Sequence, residues 1–207
     1  MTDARTFGIP ELTAVIDGAD HVDVKTVTAS LSLREFVAAT LRFRPRWLVG
    51  LFAIRAAFAW LLRLRHPVPT GVDRRPTAER ISFAPGSAAG VFTVTAGQEG
   101  RFLLVHASDT HLTGYLAFVV DPADLTSAAP GSGANARRTF HAVTVVRYHR
   151  WTGPVYFAVV RPFHHVVVGA MVRSAARTGR SPGVPGGSGD VSRQAQNRNN
   201  PAPTAAR

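Results

Sequence analysis

The chain has no cysteine, which excludes a disulfide framework, a thiolate metal site and a cysteine nucleophile. Lysine is nearly absent as well: Lys25 is the single lysine among 24 basic residues. A spanning helix needs about twenty clean apolar residues, and the two longest apolar stretches are broken by Arg55 and by Arg161 and Pro162. The first ten residues have no apolar core, so no secretory signal is read there and a cytoplasmic location is expected. Signature strings are missing too. No Gly-x-Gly-x-x-Gly follows a strand and no His-Glu-x-x-His occurs. The Gly/Ser pairs at 86–87, 131–133 and 186–189 lie in loop or tail sequence, without strand–turn–helix context or a following Lys-Ser/Thr. These absences leave no catalytic signature, so the reading leans away from an enzyme and calls for no cofactor.

What is there is arginine and apolar bulk. The net charge is +11 over 207 residues. It is unevenly spread: Glu11, Asp17, Asp20 and Asp23 lie in the first thirty residues, whereas 34–80 holds ten arginines against Glu35, Asp73 and Glu79. Clustered arginine grips phosphate, on nucleic acid or on lipid headgroups; it serves equally as the solvated face of amphipathic helices. The aromatic-and-glycine strand signatures of common nucleic-acid modules are missing, so bulk charge alone points that way and no nucleic-acid partner is expected. The length and apolar content suit one domain with a real core. That domain covers 1–177, its globular part beginning near Ile9. Residues 178–207 are Ser, Gly, Pro, Asn, Gln and Arg with little to bury, and are expected to be a disordered tail.

Residues 21–28 alternate apolar and polar with β-branched side chains, which predicts a strand. Ser32-Leu33-Arg34-Glu35 is a capping box and starts a helix through Phe36, Val37 and Leu41. Pro45 interrupts it and fits the first turn of a second helix over 46–65, giving a two-helix elbow. A connection over 66–85 follows, then strands at 81–83, 90–94, 101–106, 112–120 and 138–146, with a long hairpin connection at 121–136. The last helix spans 154–177, and Pro162 inside it predicts a kink. This order is an α+β plan, a curved antiparallel sheet wrapping a long C-terminal helix.

Four local strings stand in order along the chain: Gly18-Ala19-Asp20-His21-Val22-Asp23, then Pro45-Arg46-Trp47 with Leu51 and Arg55, then Asp109-Thr110-His111-Leu112, and last Thr144-Val145-Val146, which opens a run through Gly153 and Tyr156 to Pro162-Phe163-His164. This ordered set resembles the Domain of Unknown Function 2867 family, whose members look like START or birch-pollen-allergen helix-grip domains. The resemblance implies a cavity between sheet and C-terminal helix that holds an apolar or amphipathic small molecule. It brings no known activity. Arg150, where asparagine is expected, together with Pro154 and His165, departs from the pattern.

On that reading, ligand contacts fall to His111, Tyr115, Tyr156 and His164, with Trp47 and Phe52 at the elbow. A general acid–base site could use Asp109 and His111, two apart on one strand face, with Tyr156 and His164 on the helix; such a pair would make an isomerase or cyclase. The structural alternative has Asp109 capping a turn, His111 bonding backbone and Tyr156 packing its ring. A metal needs ligands converging within about 2–2.2 Å. His106 and His111 fall at different strand ends and His164 and His165 point about 100° apart, so no metal is expected. The arginine-rich stretch 42–65 could alternatively dock on an anionic membrane or a protein. Oligomeric state is not readable.

Overall fold

A computed structural model describes residues 4–43, 46, 76–108, 112–126 and 137–178. Its centre is a six-stranded, wholly antiparallel open sheet, formed by β1 (His21–Ala29), β2 (Ala88–Ala89), β3 (Phe92–Gln98), β4 (Phe102–Ser108), β5 (Leu112–Val120) and β6 (Arg138–Tyr148) in the spatial order β1-β6-β5-β4-β3-β2. Five consecutive strands, β2 to β6, form a meander, whereas β1 pairs with β6. The pairing runs from His21 against Val146 to Ala29 against Arg138 without a break. A bulge between Val94 and Ala96 bends β3, and Gly100, at a φ of +79°, supplies the left-handed residue that the β3–β4 hairpin requires.

Four α-helices complete the described fold: α1 (Pro10–Ile16), α2 (Leu33–Arg42), α3 (Pro122–Thr126) and α4 (Thr152–Thr178). The capping box of α2 is formed in full: Ser32 Oγ accepts the Glu35 amide at 3.3 Å, and the Glu35 carboxylate accepts the Ser32 amide at 2.8 Å. Ser32→Ala should therefore cost about 1 kcal/mol in a urea titration; an unchanged midpoint would mean that the helix end is held by packing alone.

Both faces of the sheet are covered, which is why β5 and β6 read as almost continuous apolar runs rather than as alternation. On one face α2 and the second half of α4 bury Phe36, Val37, Val168 and Val172 against Leu103, Val105, Phe118 and Phe140. On the other, Phe7, Ile9, Leu12 and Val15 of the N-terminal segment lie on Phe102, Leu104, Val119, Val143 and Val145. Arg147 fastens that segment: its Nε and Nη2 donate to Val15 O at 3.1 and 2.8 Å, satisfying a carbonyl at the open end of α1. Gly18 makes this possible, since a Cβ there would stand 2.8 Å from the guanidinium carbon.

The sequence reading differs from this fold at three places. Residues 81–83 are not a strand: Ile81 follows a 3-10 turn (Ala78–Arg80), and its carbonyl is taken by Arg34 Nη1. The N-terminal cover, α1 included, and the short α3 were not foreseen. The elbow helix expected at 46–65 lies, apart from Arg46, outside the described residues, as does the tail after Thr178. No single described helix is long and apolar enough to cross a membrane.

Candidate functional site

The period of two along β1 sends His21, Asp23 and Lys25 to the face that α4 covers, while Val24 joins the core of the opposite face. A polar row therefore faces a helix, on an edge strand. The register sets Asp23 beside Thr144 of β6, and Thr144 is only 3% exposed. Above this row α4 bends by 55° between its segments Thr152–Val159 and Arg161–Thr178. Pro162 lies at the bend, where its ring opposes the preceding turn and one intrahelical bond is lost.

From the bent helix, two consecutive histidines reach the row. His165 Nδ1 stands 3.2 Å from Asp23 Oδ2. His164 Nε2 lies 3.4 Å from Thr144 Oγ1, a weak contact. Lys25 Nζ donates to Asp23 Oδ1 at 3.1 Å. The His21 ring meets His165 edge-on at 5.7 Å and Phe157 at 5.1 Å, and Phe157 in turn lies 5.9 Å from the Tyr148 ring.

Two buried polar atoms here have no hydrogen bond, His21 Nε2 and Asp23 Oδ2. Oδ2 lies 3.1 Å from Lys25 Nζ and 3.2 Å from His165 Nδ1, but neither contact has hydrogen-bond angles, so the acceptor stays open. Burial is the main force on both histidines whose basicity is shifted. It holds His21 below its ordinary value, helped by Arg161 and His165 and opposed by Asp23. It takes His164 down to about 4, again helped by His165 and opposed by Asp23. His164 is then a neutral imidazole at neutral pH, able to donate from one nitrogen and accept at the other. Burial and the Asp20 carboxylate also raise the Tyr148 hydroxyl, so it remains a donor.

Of the residues anticipated from sequence, only His164 is placed in this cluster by its side chain. Tyr156 is on α4, but its side chain is outside the described residues, as are Asp109, His111, Trp47 and Phe52. Tyr115 lies on the other face of the sheet: it packs against the cluster under the N-terminal segment, with the Arg147 guanidinium 5.8 Å over its ring. It cannot share a site with His164. His21, Asp23, Lys25, Thr144 and His165 were not anticipated. The signal was available in the first half of β1, where His21, Asp23 and Lys25 occupy every second position and so share one face.

The remaining described histidines are satisfied by the sheet. His106 meets Thr95 at 2.8 Å and His149 meets Thr113 at 2.8 Å. His141, buried under Phe7, joins Thr26 at 3.0 Å and Asp121 at 2.9 Å, and that hydrogen bond holds the Asp121 carboxyl below the usual carboxylate range. Asp121 also accepts the Ala123 amide, so the triplet ties α3 to β1 and β6. Among the described residues no group of three or more His, Asp or Glu is arranged to hold a metal. Further along α4, a groove of about 230 Å³ is lined by Val27, Thr28, Arg173, Ala176 and Arg177.

Neither a curated protein nor a solved structure matches the chain. A family model does, and it spans residues 15–171, from the end of α1 through the polar row to Met171 on α4, taking in His164 and His165. The chain belongs to the DUF2867 family, whose description is that of a protein of unknown function.

Proposed function

We propose that this domain is a START-like, helix-grip module that binds an amphipathic small molecule between β1 and the bent half of α4. The observation that carries the reading is the pair of buried, unbonded polar atoms, His21 Nε2 and Asp23 Oδ2. Leaving such atoms unmet costs roughly 1–3 kcal/mol each, and a ligand hydroxyl or amide would meet both. Phe157 and Tyr148 offer the apolar wall beside them, and neutral His164 provides a donor or acceptor without a charge. A sheet backed by a long C-terminal helix agrees with a helix-grip plan.

Native mass spectrometry of the full chain, purified without detergent, tests this. A discrete extra mass that is lost on denaturation is expected, and solvent extraction would give its class. Asp23→Ala should reduce occupancy at least tenfold while leaving the melting temperature within a few degrees. A bare polypeptide mass, repeated from lysate of the protein's own host, overturns the reading. The 3.2 Å approach of His165 Nδ1 to Asp23 Oδ2 favours a second reading, an isomerase- or cyclase-like enzyme, because a carboxylate beside an imidazole forms an acid–base pair once the two align on a bound substrate. Equal turnover of the extracted ligand after separate replacement of Asp23, His164 and His165 would sink it.

A further inference from the structure

The helix α4 is apolar on two opposite sides. At 100° per residue, Val155 and Val159 lie about 40° apart and opposite the buried Phe157 before the bend, and Phe163 and Val166 lie about 60° apart and opposite the buried Val168, Val172 and Ala175 after it. Val155, Val159, Phe163 and Val166 are open to solvent, with exposures of 49%, 38%, 38% and 57%, and Trp151, just before the helix, is 83% exposed. A helix that is apolar all round ordinarily has something on each side, and a contiguous exposed apolar stripe marks a contact surface.

Charge decides between the possible covers. Between Asp124 and Asp190 the sequence contains no acidic residue, and Arg150, beside Trp151 at the head of the stripe, is exposed. A second copy of the same face would bring no carboxylate to Arg150. The chain's own segment 44–75 is no better matched, carrying seven arginines against Asp73 alone. An anionic lipid surface satisfies both features, since Trp belongs at the headgroup level and Arg meets phosphate.

We propose that the outer face of α4, from Trp151 to Val166, docks on an anionic bilayer surface, with Trp151, Val159 and Phe163 entering the headgroup–acyl boundary and Arg150 meeting lipid phosphate. The face is distinct from the polar row under the helix, so the proposal stands independently of the ligand reading. The test is sedimentation of the full chain with vesicles of phosphatidylcholine alone and of phosphatidylcholine with phosphatidylglycerol. Binding to the anionic vesicles is expected to be at least tenfold tighter and to weaken with salt, as surface attraction does. The double variant Trp151→Ser, Phe163→Ser should lose at least tenfold of that binding with an unchanged melting temperature, because both side chains are exposed. Replacing Trp47 and Trp60 with Phe leaves Trp151 as the only tryptophan, and its emission should shift to the blue on anionic vesicles. Failure to bind anionic vesicles, or equal binding by the double variant, overturns the proposal. So does a dimer that the double variant dissolves, which would assign the face to a second copy.

Discussion

Phe36→Ala is expected to destabilise the protein by about 3–5 kcal/mol, the range for deleting a fully buried aromatic ring. Phe36 is 0% exposed. It stacks on Phe140 of β6 with ring centres 4.3 Å apart and 11° between planes, and meets Phe118 of β5 edge-on at 6.1 Å. One side chain of α2 thus clamps two central strands, and its loss removes both aromatic contacts as well as buried area. The hole cannot be filled by collapse, since its walls are strands fixed by continuous pairing on both sides of β6. In thermal unfolding the variant should melt about 10 °C or more below the parent. A loss under about 1.5 kcal/mol would mean that α2 does not seat on the sheet as described.

How much of this was legible in the sequence depends on where the deciding force lies. The start of α2 is local: Ser32 and Glu35 cap it with their own side chains, and the helix begins at the residue the capping box names. The bounds of β5, Leu112–Val120, are equally local, set by a turn-bounded apolar run. Ile81 and Phe83 show the opposite case. Their β propensity yields to a distant partner, as Arg34 takes the Ile81 carbonyl and lies 5.2 Å over the Phe83 ring. Helix α1 escaped notice because seven residues carry too little periodicity, although Pro10 at its first turn was a start signal.

The site was less legible than the fold, and Tyr115 shows why. The period of two fixes that Tyr115 and Leu116 face opposite ways, but no strand read alone says which side the last helix will cover. That choice comes from the antiparallel joining of β1 to β6, a contact distant in sequence. The same joining turns an unremarked alternation, His21-x-Asp23-x-Lys25, into a polar row under α4. Pro162 was read correctly as a kink, yet its consequence, two consecutive histidines reaching different partners, required the position of β1. The elbow contacts Trp47 and Phe52 and the pair Asp109 and His111 fall outside the described residues.

Acidification should weaken the fold through His164. Its basicity in the native state, about 4, lies below the ordinary 6.5, so between these values the unfolded chain binds the proton that the native state refuses. Stability therefore rises with pH through this window: the contribution is intact above about 6.5 and is lost progressively as pH falls toward 4. The span of about 2.5 units corresponds to roughly 3.5 kcal/mol at most, at about 1.4 kcal/mol per unit. The groups facing His164 account for the sign. Thr144 on β6 offers only a long contact, and Lys25, His21 and His165 are cationic or able to become so. Asp23 alone favours the protonated form. His21 acts in the same direction, since its basicity is also lowered. The depressed Asp121 adds a separate loss that begins lower, as its carboxylate takes a proton below the usual carboxylate range. Urea titrations at intervals from pH 7 to 4.5 should thus give a falling stability for the parent and a clearly flatter line for His164→Gln, which keeps hydrogen-bonding capacity without a titrating ring. Parallel lines would mean that His164 accepts a proton without penalty, as a solvated residue does. A neutral His164 would then no longer be a valid part of the proposed ligand site, which requires an uncharged imidazole facing Thr144 beside the open Asp23 oxygen.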